Sequence, residues 1–173
     1  NLEASIKQSL ADCMLNSGQS CDAPTRLLVQ KSIYKETISF LEKFGSEITV
    51  GNPNLEGNHI GPLFDEIQYD RVQNMIRIGI EEGCEMILGG LGKPEGFEEG
   101  WYVRPTIFKN VSNDMRIARE EIFGPVLVVI PFETEAEAIE IANDTPYGLA
   151  AYLYSDNKDR SSRVAAKLRA GAV

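Results

Sequence analysis

The chain has 173 residues, of which 43% are hydrophobic and 25% charged, and its 17 basic and 26 acidic side chains give a formal net charge of −9. A chain of this size and composition can bury a core without disulfides or a structural metal, which excludes a stapled mini-protein. Its acidity, without runs of Lys and Arg, argues against a nucleic-acid partner, and apolar stretches such as Val126–Phe132 are far shorter than the ~20 residues of a membrane span.

The first half of the chain alternates helical and strand patterns. Apolar residues at three- and four-residue intervals predict a helix over residues 2–16 that Ser17 and Gly18 break. The Leu-Leu-Val run within residues 26–30 predicts a strand, and a second helix follows and ends at Gly45. The face of this second helix that we expect to be buried comprises Ile33, Thr37, Phe40, Leu41 and Phe44.

A third helix is predicted from Asp65 to about Glu82. Asp65 suits the N-cap position, and we expect the side chain of Gln68 to reach back to the start of the helix, as in a capping box. Residues 84–88 then predict a strand that precedes a glycine-rich turn. The buried face of this third helix is expected to comprise Tyr69, Val72, Met75, Ile76 and Ile80.

The most apolar segment is the β-branched run of residues 126–130, which is typical of a central strand covered on both faces. A capping box at residues 134–137 predicts a helix with Ala138, Ile139 and Ala142 inward. Residues 149–154 predict another strand, and a last helix runs from Asp156 to Gly171.

Alternating strands and helices predict an α/β fold, a three-layer α/β/α domain with a largely parallel sheet. The sequence begins at Asn1 rather than Met, and a further apolar strand appears to begin at residues 171–173. We therefore expect residues 1–173 to be a single domain excised from a longer protein.

Cys21 is the candidate nucleophile, because it falls in the turn between the first helix and the first strand. A turn leaves a thiol accessible and offers backbone N–H groups to a thiolate or an oxyanion. Cys13 and Cys84 lie on predicted apolar faces and are expected to be packing residues. Asp22 would raise the pKa of the neighbouring thiol if its carboxylate turned inward. On composition alone, an incidental loop cysteine remains the simpler interpretation of Cys21.

The other polar motifs are less specific. His59 is the single histidine, so a Cys21–His59 dyad is conceivable, although its polar loop favours an exposed side chain. Three dispersed cysteines and one histidine predict no metal site, and they indicate reduced thiols in the cytoplasm. Residues 120–125 place two glutamates and an aromatic in a turn before the central strand, where ligands bind in such sheets. The glycines of residues 89–92 do not have dinucleotide-binding spacing.

Four segments extend these observations over nearly the whole chain. They are Gly18-Gln-Ser-Cys21, Gly100-Trp-Tyr-Val-Arg-Pro-Thr-Ile-Phe108, Glu120-Glu-Ile-Phe-Gly-Pro-Val126 and Ala142-Asn-Asp-Thr-Pro-Tyr-Gly-Leu-Ala150. In this order and spacing, the chain resembles the NAD(P)-dependent aldehyde dehydrogenase superfamily. The resemblance implies the thiol-bearing catalytic domain of that family, facing a separate Rossmann-like cofactor domain.

The resemblance also implies roles for individual residues. Cys21 matches the nucleophile that forms a thiohemiacetal and then a thioester with the aldehyde, while hydride leaves to NAD or NADP. Glu121 matches the residue that binds the nicotinamide-side ribose, and Phe123 matches the aromatic beside the nicotinamide. The family's general-base glutamate and oxyanion-binding asparagine would precede Asn1, so the segment alone should be inactive. Asp22 departs from the residues common at that position and leaves the substrate class open.

The interpretation from sequence is thus an aldehyde-oxidising enzyme domain with an aldehyde substrate, a nicotinamide cofactor and a homo-oligomeric complete protein. Neither a nucleic acid nor a membrane is an expected partner. Two alternatives stay open: a cysteine hydrolase or acyltransferase that uses Cys21 and His59, and a non-enzymatic interaction domain built on the same fold.

Overall fold

The computed structural model describes residues 1–57 and 59–173. The helices and strands follow one another in the order α1 Leu2–Met14, β1 Arg26–Gln30, α2 Lys31–Gly45, β2 Thr49–Val50, β3 His59–Ile60, α3 Glu66–Glu81, β4 Glu85–Leu88, β5 Thr106–Lys109, α4 Arg116–Arg119, β6 Val126–Phe132, α5 Glu135–Asn143 and α6 Lys158–Ala165. A short 3₁₀ turn, Leu15–Gly18, follows α1.

The main sheet has the strand order β1-β6-β5-β4. Strand β6 pairs in parallel with β1 and with β5, whereas β4 and β5 are antiparallel. Strands β2 and β3 form a separate parallel pair. The predicted α/β fold with a largely parallel sheet is therefore confirmed, with one antiparallel edge strand that the sequence pattern did not distinguish.

Strand β6 divides the core into two layers because successive side chains of a strand point to opposite faces. Its residues Val126, Val128 and Ile130 pack in the cluster that contains the buried face of α3. Leu127 and Val129 pack in the other cluster, which contains the buried faces of α1 and α2. All five side chains are at most 2% exposed. The continuously apolar run is a central strand, as predicted.

The predicted faces of α2 and α3 agree with the structure in part: Phe40 and Tyr69 are only partly buried. The predicted residues that are buried are Thr37, Leu41, Phe44, Val72, Met75 and Ile76. Ile33, in the first turn of α2, and Ile80, in the last turn of α3, are 39% and 42% exposed. Ile38 and Ile78 are buried in their place. The residues predicted inward on α5 are only partly buried, so that helix lies against the edge of the core rather than within it.

The strand predicted at residues 149–154 is wrong, whereas the expectation that a strand begins at residues 171–173 stays a prediction. The two segments share a single parallel bridge between Ala150 and Ala172. Its hydrogen bonds run from the Ala172 N–H to the Leu149 carbonyl, 3.1 Å, and from the Ala151 N–H to the Ala172 carbonyl, 2.9 Å. A strand requires a continuous partner, and one bridge does not supply it. Helix α6 is also shorter than predicted, and α1 ends two residues earlier, at the 3₁₀ turn.

Candidate active site

Cys21 lies in the turn between α1 and β1, as predicted, and its side chain is exposed. The turn is closed by a hydrogen bond from the Ala23 N–H to the Ser20 carbonyl, 3.2 Å. Residues 16–18 directly before it all have positive φ angles, 50°, 58° and 71°. Positive φ is costly for residues other than glycine and is maintained only where surrounding contacts impose it. The backbone leading to Cys21 is therefore held in an uncommon conformation.

Close contact with the loop between α4 and β6 is one of the constraints on the backbone before Cys21. A Cβ atom added to Gly18 would lie 2.1 Å from the carbonyl oxygen of Gly124 and 2.9 Å from the Pro125 nitrogen. Real side chains never approach backbone atoms so closely, so only glycine fits at this position. The absence of a side chain lets the Cys21 loop pack directly on the loop that contains Glu121 and Phe123.

Polar side chains join the Cys21 loop to a third segment, residues 61–64. The Ser17 hydroxyl donates to the Gly61 carbonyl at 2.7 Å. The Gln19 side chain donates to the Pro62 carbonyl at 3.4 Å and accepts from the Phe64 N–H at 3.0 Å. These bonds satisfy backbone groups that lie outside regular secondary structure. The sequence indicated that Ser17 ends the first helix and that Gln19 belongs to the Gly18–Cys21 segment, but it predicted neither of these contacts.

The loop between α4 and β6 presents the other two predicted site residues. The Glu121 side chain is exposed, and Phe123 is half-buried with a φ angle of 58°. The Glu121 N–H donates to the Tyr147 hydroxyl at 3.1 Å, and the Arg71 guanidinium donates to the Glu121 carbonyl at 2.7 Å. Tyr147 belongs to the Thr-Pro-Tyr-Gly segment at residues 145–148. Its hydroxyl accepts the hydrogen bond from Glu121 and so ties that segment to the loop between α4 and β6.

Gln68 has a different role from the one predicted. Asp65 does cap α3, since its carboxylate accepts from the Gln68 N–H at 2.8 Å. The Gln68 side chain, however, does not return to the start of the helix. It donates to the carbonyls of Ile122 and Phe123, at 2.9 and 2.8 Å. These two carbonyls accept no backbone hydrogen bond within the described residues, so they are available to the Gln68 amide. Because they lie far along the chain, the local sequence around Gln68 could not reveal this contact.

The three predicted site residues share one cleft. Cys21, Glu121 and Phe123 all line a cleft of about 1090 Å³ that extends along β1 and the segment after α5. A cleft of this size can hold a small-molecule ligand. The structure thus brings together a reachable thiol, an exposed carboxylate and an aromatic ring.

The other two thiols are packing residues, as predicted. Cys13 is fully buried, and burial, with a smaller contribution from the Asp12 charge, raises its pKa to about 12. Burial likewise raises the pKa of Cys84, whose sulfur lies 3.4 Å from the Met115 sulfur. Burial disfavours the thiolate form of both side chains, and Cys21 is the one exposed thiol among the three.

The Asp22 carboxylate is oriented toward other groups than the thiol. It accepts from the Ser20 hydroxyl and, at 3.4 Å, from the Tyr152 hydroxyl. The hydrogen bond from Ser20 is the main reason that the pKa of Asp22 lies below its ordinary value. The Asp22 carboxylate is therefore an anion next to Cys21 in the chain, held by its hydrogen bonds to Ser20 and Tyr152.

His59 does not join Cys21 in the cleft. It belongs to β3 and is half-buried, which corrects the expectation of an exposed loop. Its Nε2 atom lies 2.9 Å from the Asn52 carbonyl, and its ring packs against Gly51 and Gly57. His59 is absent from the residues that line the Cys21 cleft. The geometry gives no support to a Cys21–His59 dyad.

Within residues 1–57 and 59–173, no group of three or more His, Cys, Asp or Glu side chains is arranged to hold a metal ion. No helix in the same residues combines the length and apolar composition needed to traverse a bilayer.

Comparison with known proteins gives a consistent result. The model of the aldehyde dehydrogenase family matches residues 1–173. The 3-succinoylsemialdehyde-pyridine dehydrogenase of a Pseudomonas species is 49% identical over the whole chain, which covers 36% of that protein. A putative aldehyde dehydrogenase of Staphylococcus aureus MSSA476 is 47% identical with the same coverage.

Solved structures agree. An aldehyde dehydrogenase from Bartonella henselae superposes with a TM-score of 0.96 at 47% identity, over 98% of this chain and 36% of that one. Aldehyde dehydrogenase C from Pseudomonas syringae, a cysteine-to-alanine mutant in complex with NAD⁺ and octanal, superposes with a TM-score of 0.98 at 42% identity, over 100% and 36%. The chain thus spans about 36% of the length of these relatives, and it belongs to the aldehyde dehydrogenase family.

Proposed function

We propose that residues 1–173 are the thiol-bearing catalytic domain of a dehydrogenase that oxidises an aldehyde to a carboxylic acid with NAD⁺ or NADP⁺. The observation that carries this proposal is the single reachable thiol, Cys21, on the cleft that Glu121 and Phe123 also line. Family membership supports the reaction class. The relative from Pseudomonas syringae, which is in complex with NAD⁺ and octanal, supports the substrate class.

In the proposed reaction, the Cys21 thiolate adds to the aldehyde carbon, and the carbonyl oxygen becomes an alkoxide. The Cys21 N–H has no hydrogen-bond partner within the described residues, so it is available to donate to that alkoxide. Loss of hydride from the same carbon leaves a thioester on Cys21. Water then cleaves the carbon–sulfur bond, which releases the carboxylic acid and restores the thiol.

The residues present are suited to the nicotinamide end of a dinucleotide. Glu121 offers an exposed carboxylate that can accept hydrogen bonds from two ribose hydroxyls, and Phe123 offers the side of a half-buried ring to a planar heterocycle. When bound, the dinucleotide supplies the hydride acceptor. The choice between NAD⁺ and NADP⁺ we assign to a separate cofactor domain of the complete chain.

The aldehyde substrate, the cofactor domain and a homo-oligomeric assembly in the cytoplasm are the partners and setting that we propose for the complete protein. Asp22 places a negative charge next to the nucleophile. A panel of neutral and cationic aldehydes tests whether that charge favours cationic substrates, and equal kcat/KM values for matched pairs would exclude such a preference.

Replacing each cysteine tests the assignment of the nucleophile. In the full-length protein, Cys21→Ser should lower aldehyde-dependent NAD(P)H formation by at least about 10³-fold, because the covalent route is lost. Cys13→Ala and Cys84→Ala are matched controls, since both remove buried thiols, and they should retain most of the activity. Normal turnover in Cys21→Ser would show that another group attacks the aldehyde.

A further inference from the structure

The buried amide of Gln68 joins helix α3 to the loop that contains Glu121 and Phe123. The residue is 6% exposed. Its Nε2 group carries two hydrogens, and the two carbonyls it meets, those of Ile122 and Phe123, lie at 2.9 and 2.8 Å. Both donor positions are therefore used on consecutive backbone carbonyls of one loop.

That loop needs an external support. Phe123 has a φ angle of 58°, which is unfavourable for a residue with a side chain. The loop lies between α4 and β6, and within the described residues no backbone N–H donates to its Ile122 and Phe123 carbonyls. Two consecutive carbonyls left without donors in a buried setting would each cost about 1–3 kcal/mol. The Gln68 amide stabilises the particular backbone conformation from which the Glu121 and Phe123 side chains project.

The same face of α3 makes the neighbouring contacts. Arg71, one turn after Gln68, donates to the Glu121 carbonyl. Val72 packs beneath Gly124 so closely that a Cβ there would lie 2.5 Å from a Val72 methyl group. Arg71 is exposed, so water can compete for its bond, whereas the Gln68 side chain is buried and its bond to the Ile122 carbonyl lies away from solvent. Gln68 is thus the better protected of the two polar contacts on this face.

We propose that Gln68 is a positioning residue for dinucleotide binding: through the Ile122 and Phe123 carbonyls it holds Glu121 and Phe123 in the arrangement that receives the nicotinamide end of the cofactor. This inference rests on the proposed function, since it assigns Glu121 and Phe123 to the cofactor. It gives Gln68 no contact with the reacting atoms.

The test compares two buried glutamines of the same helix in the full-length protein. Gln68→Met keeps the length of the side chain and removes both donors. Gln73→Met is the matched control, because Gln73 is 8% exposed, its oxygen accepts from the Gly92 N–H at 2.7 Å, and its Nε2 has no partner within the described residues. Gln68→Glu serves as a second variant that keeps the shape and replaces the donor by an acceptor.

The readout is the dissociation constant for NAD⁺ and for NADP⁺, measured by titration calorimetry without turnover, together with the KM for the aldehyde and the melting temperature. Gln68→Met and Gln68→Glu should raise the dissociation constant of the preferred dinucleotide at least tenfold and leave the KM for the aldehyde within twofold. Gln73→Met should change neither by more than twofold.

The outcomes separate this inference from the proposed function. Equal dinucleotide binding by folded Gln68→Met and the unmodified protein would overturn the positioning role alone. An equal loss in Gln73→Met would assign the effect to general destabilisation of α3 and would also overturn it. If the unmodified full-length protein bound neither dinucleotide, the proposed function and this inference would both be wrong.

Discussion

The close approach of Gly18 to Gly124 makes a quantitative prediction about the joint between the two site loops. Gly18→Ala adds one methyl group, at a φ angle of 71°, within 2.1 Å of a backbone oxygen. The position cannot relieve this overlap by rotating a side chain, because the nearest atoms are backbone atoms of Gly124 and Pro125. Either the Cys21 loop or the Glu121 loop has to move.

Substitution of Gly83 separates the cost of a side chain at positive φ from the cost of steric overlap. It also has a positive φ angle, 83°, but a Cβ there would meet nothing within 4 Å. Gly83→Ala should therefore lower the free energy of unfolding by only the conformational term, about 1 kcal/mol after the gain in unfolded-state entropy is subtracted. Gly18→Ala adds an overpacking term of about 1–3 kcal/mol, for a total of about 2–4 kcal/mol.

Thermal unfolding and kinetics of the full-length variants measure both consequences. For a domain of this size, each kcal/mol corresponds to about 2–4 °C in melting temperature. We expect Gly18→Ala to melt clearly below Gly83→Ala and to lose dehydrogenase activity even where it is folded, because the loops that hold Cys21 and Glu121 are forced apart. Equal melting temperatures and equal activity for the two variants would refute the reasoning.

Three further predictions follow from buried polar groups and thiols. Thr37 is buried and its hydroxyl has no partner within the described residues, so Thr37→Val should raise the free energy of unfolding by about 1 kcal/mol. The Thr106 hydroxyl instead accepts from the Gly90 N–H and donates to the Arg104 carbonyl. Thr106→Val should therefore lower the free energy of unfolding by about 1–3 kcal/mol. Denaturant unfolding of both checks the contrast, and a stabilised Thr106→Val would contradict it. The pKa of Cys13 is about 12 in the folded protein against an ordinary value of 9.0, so its contribution to stability is complete below pH 9 and is lost as the pH rises toward 12; the melting temperature of Cys13→Ala should fall less steeply over that range, and an unchanged slope would count against the buried thiol. Iodoacetamide at pH 8 should alkylate Cys21 at least about tenfold faster than Cys13 or Cys84, because only Cys21 is exposed. Peptide mapping measures the three rates. Comparable rates would show that Cys13 and Cys84 are accessible to the reagent, which would contradict their burial in the structure.

Prediction from the sequence was most successful for elements whose pattern of apolar residues is determined by burial in the core. The run at residues 126–130 can only be a central strand, and the apolar faces of α2 and α3 correspond to the two core layers. Cys13 and Cys84 were assigned to packing for the same reason. The pattern indicated that Cys21 is accessible and that residues 120–125 form a turn suited to a ligand, but the roles of Cys21, Glu121 and Phe123 came from a family resemblance. That the three residues share a cleft follows only from the fold.

What could not be predicted depends on partners that are distant in the chain. The Asp65–Gln68 motif correctly predicted a cap, but the Gln68 amide is recruited by carbonyls more than fifty residues away. Residues 149–154 have strand-like composition, yet Leu149, Tyr152 and Tyr154 are 54%, 44% and 45% exposed and the backbone lacks a continuous partner. Strand β5 was missed because four residues after Pro105 are too few to show a period of two.

Direct detection of the covalent intermediate tests the central claim, that Cys21 attacks the aldehyde. The full-length protein would be mixed with an aldehyde and NAD⁺ or NADP⁺, quenched in acid within a turnover, digested, and mapped by tandem mass spectrometry. We predict an acyl group on Cys21, at a mass that shifts with the aldehyde used, and none on Cys13 or Cys84. An acyl adduct on another residue, or undiminished turnover in protein whose Cys21 is fully alkylated, would contradict the account.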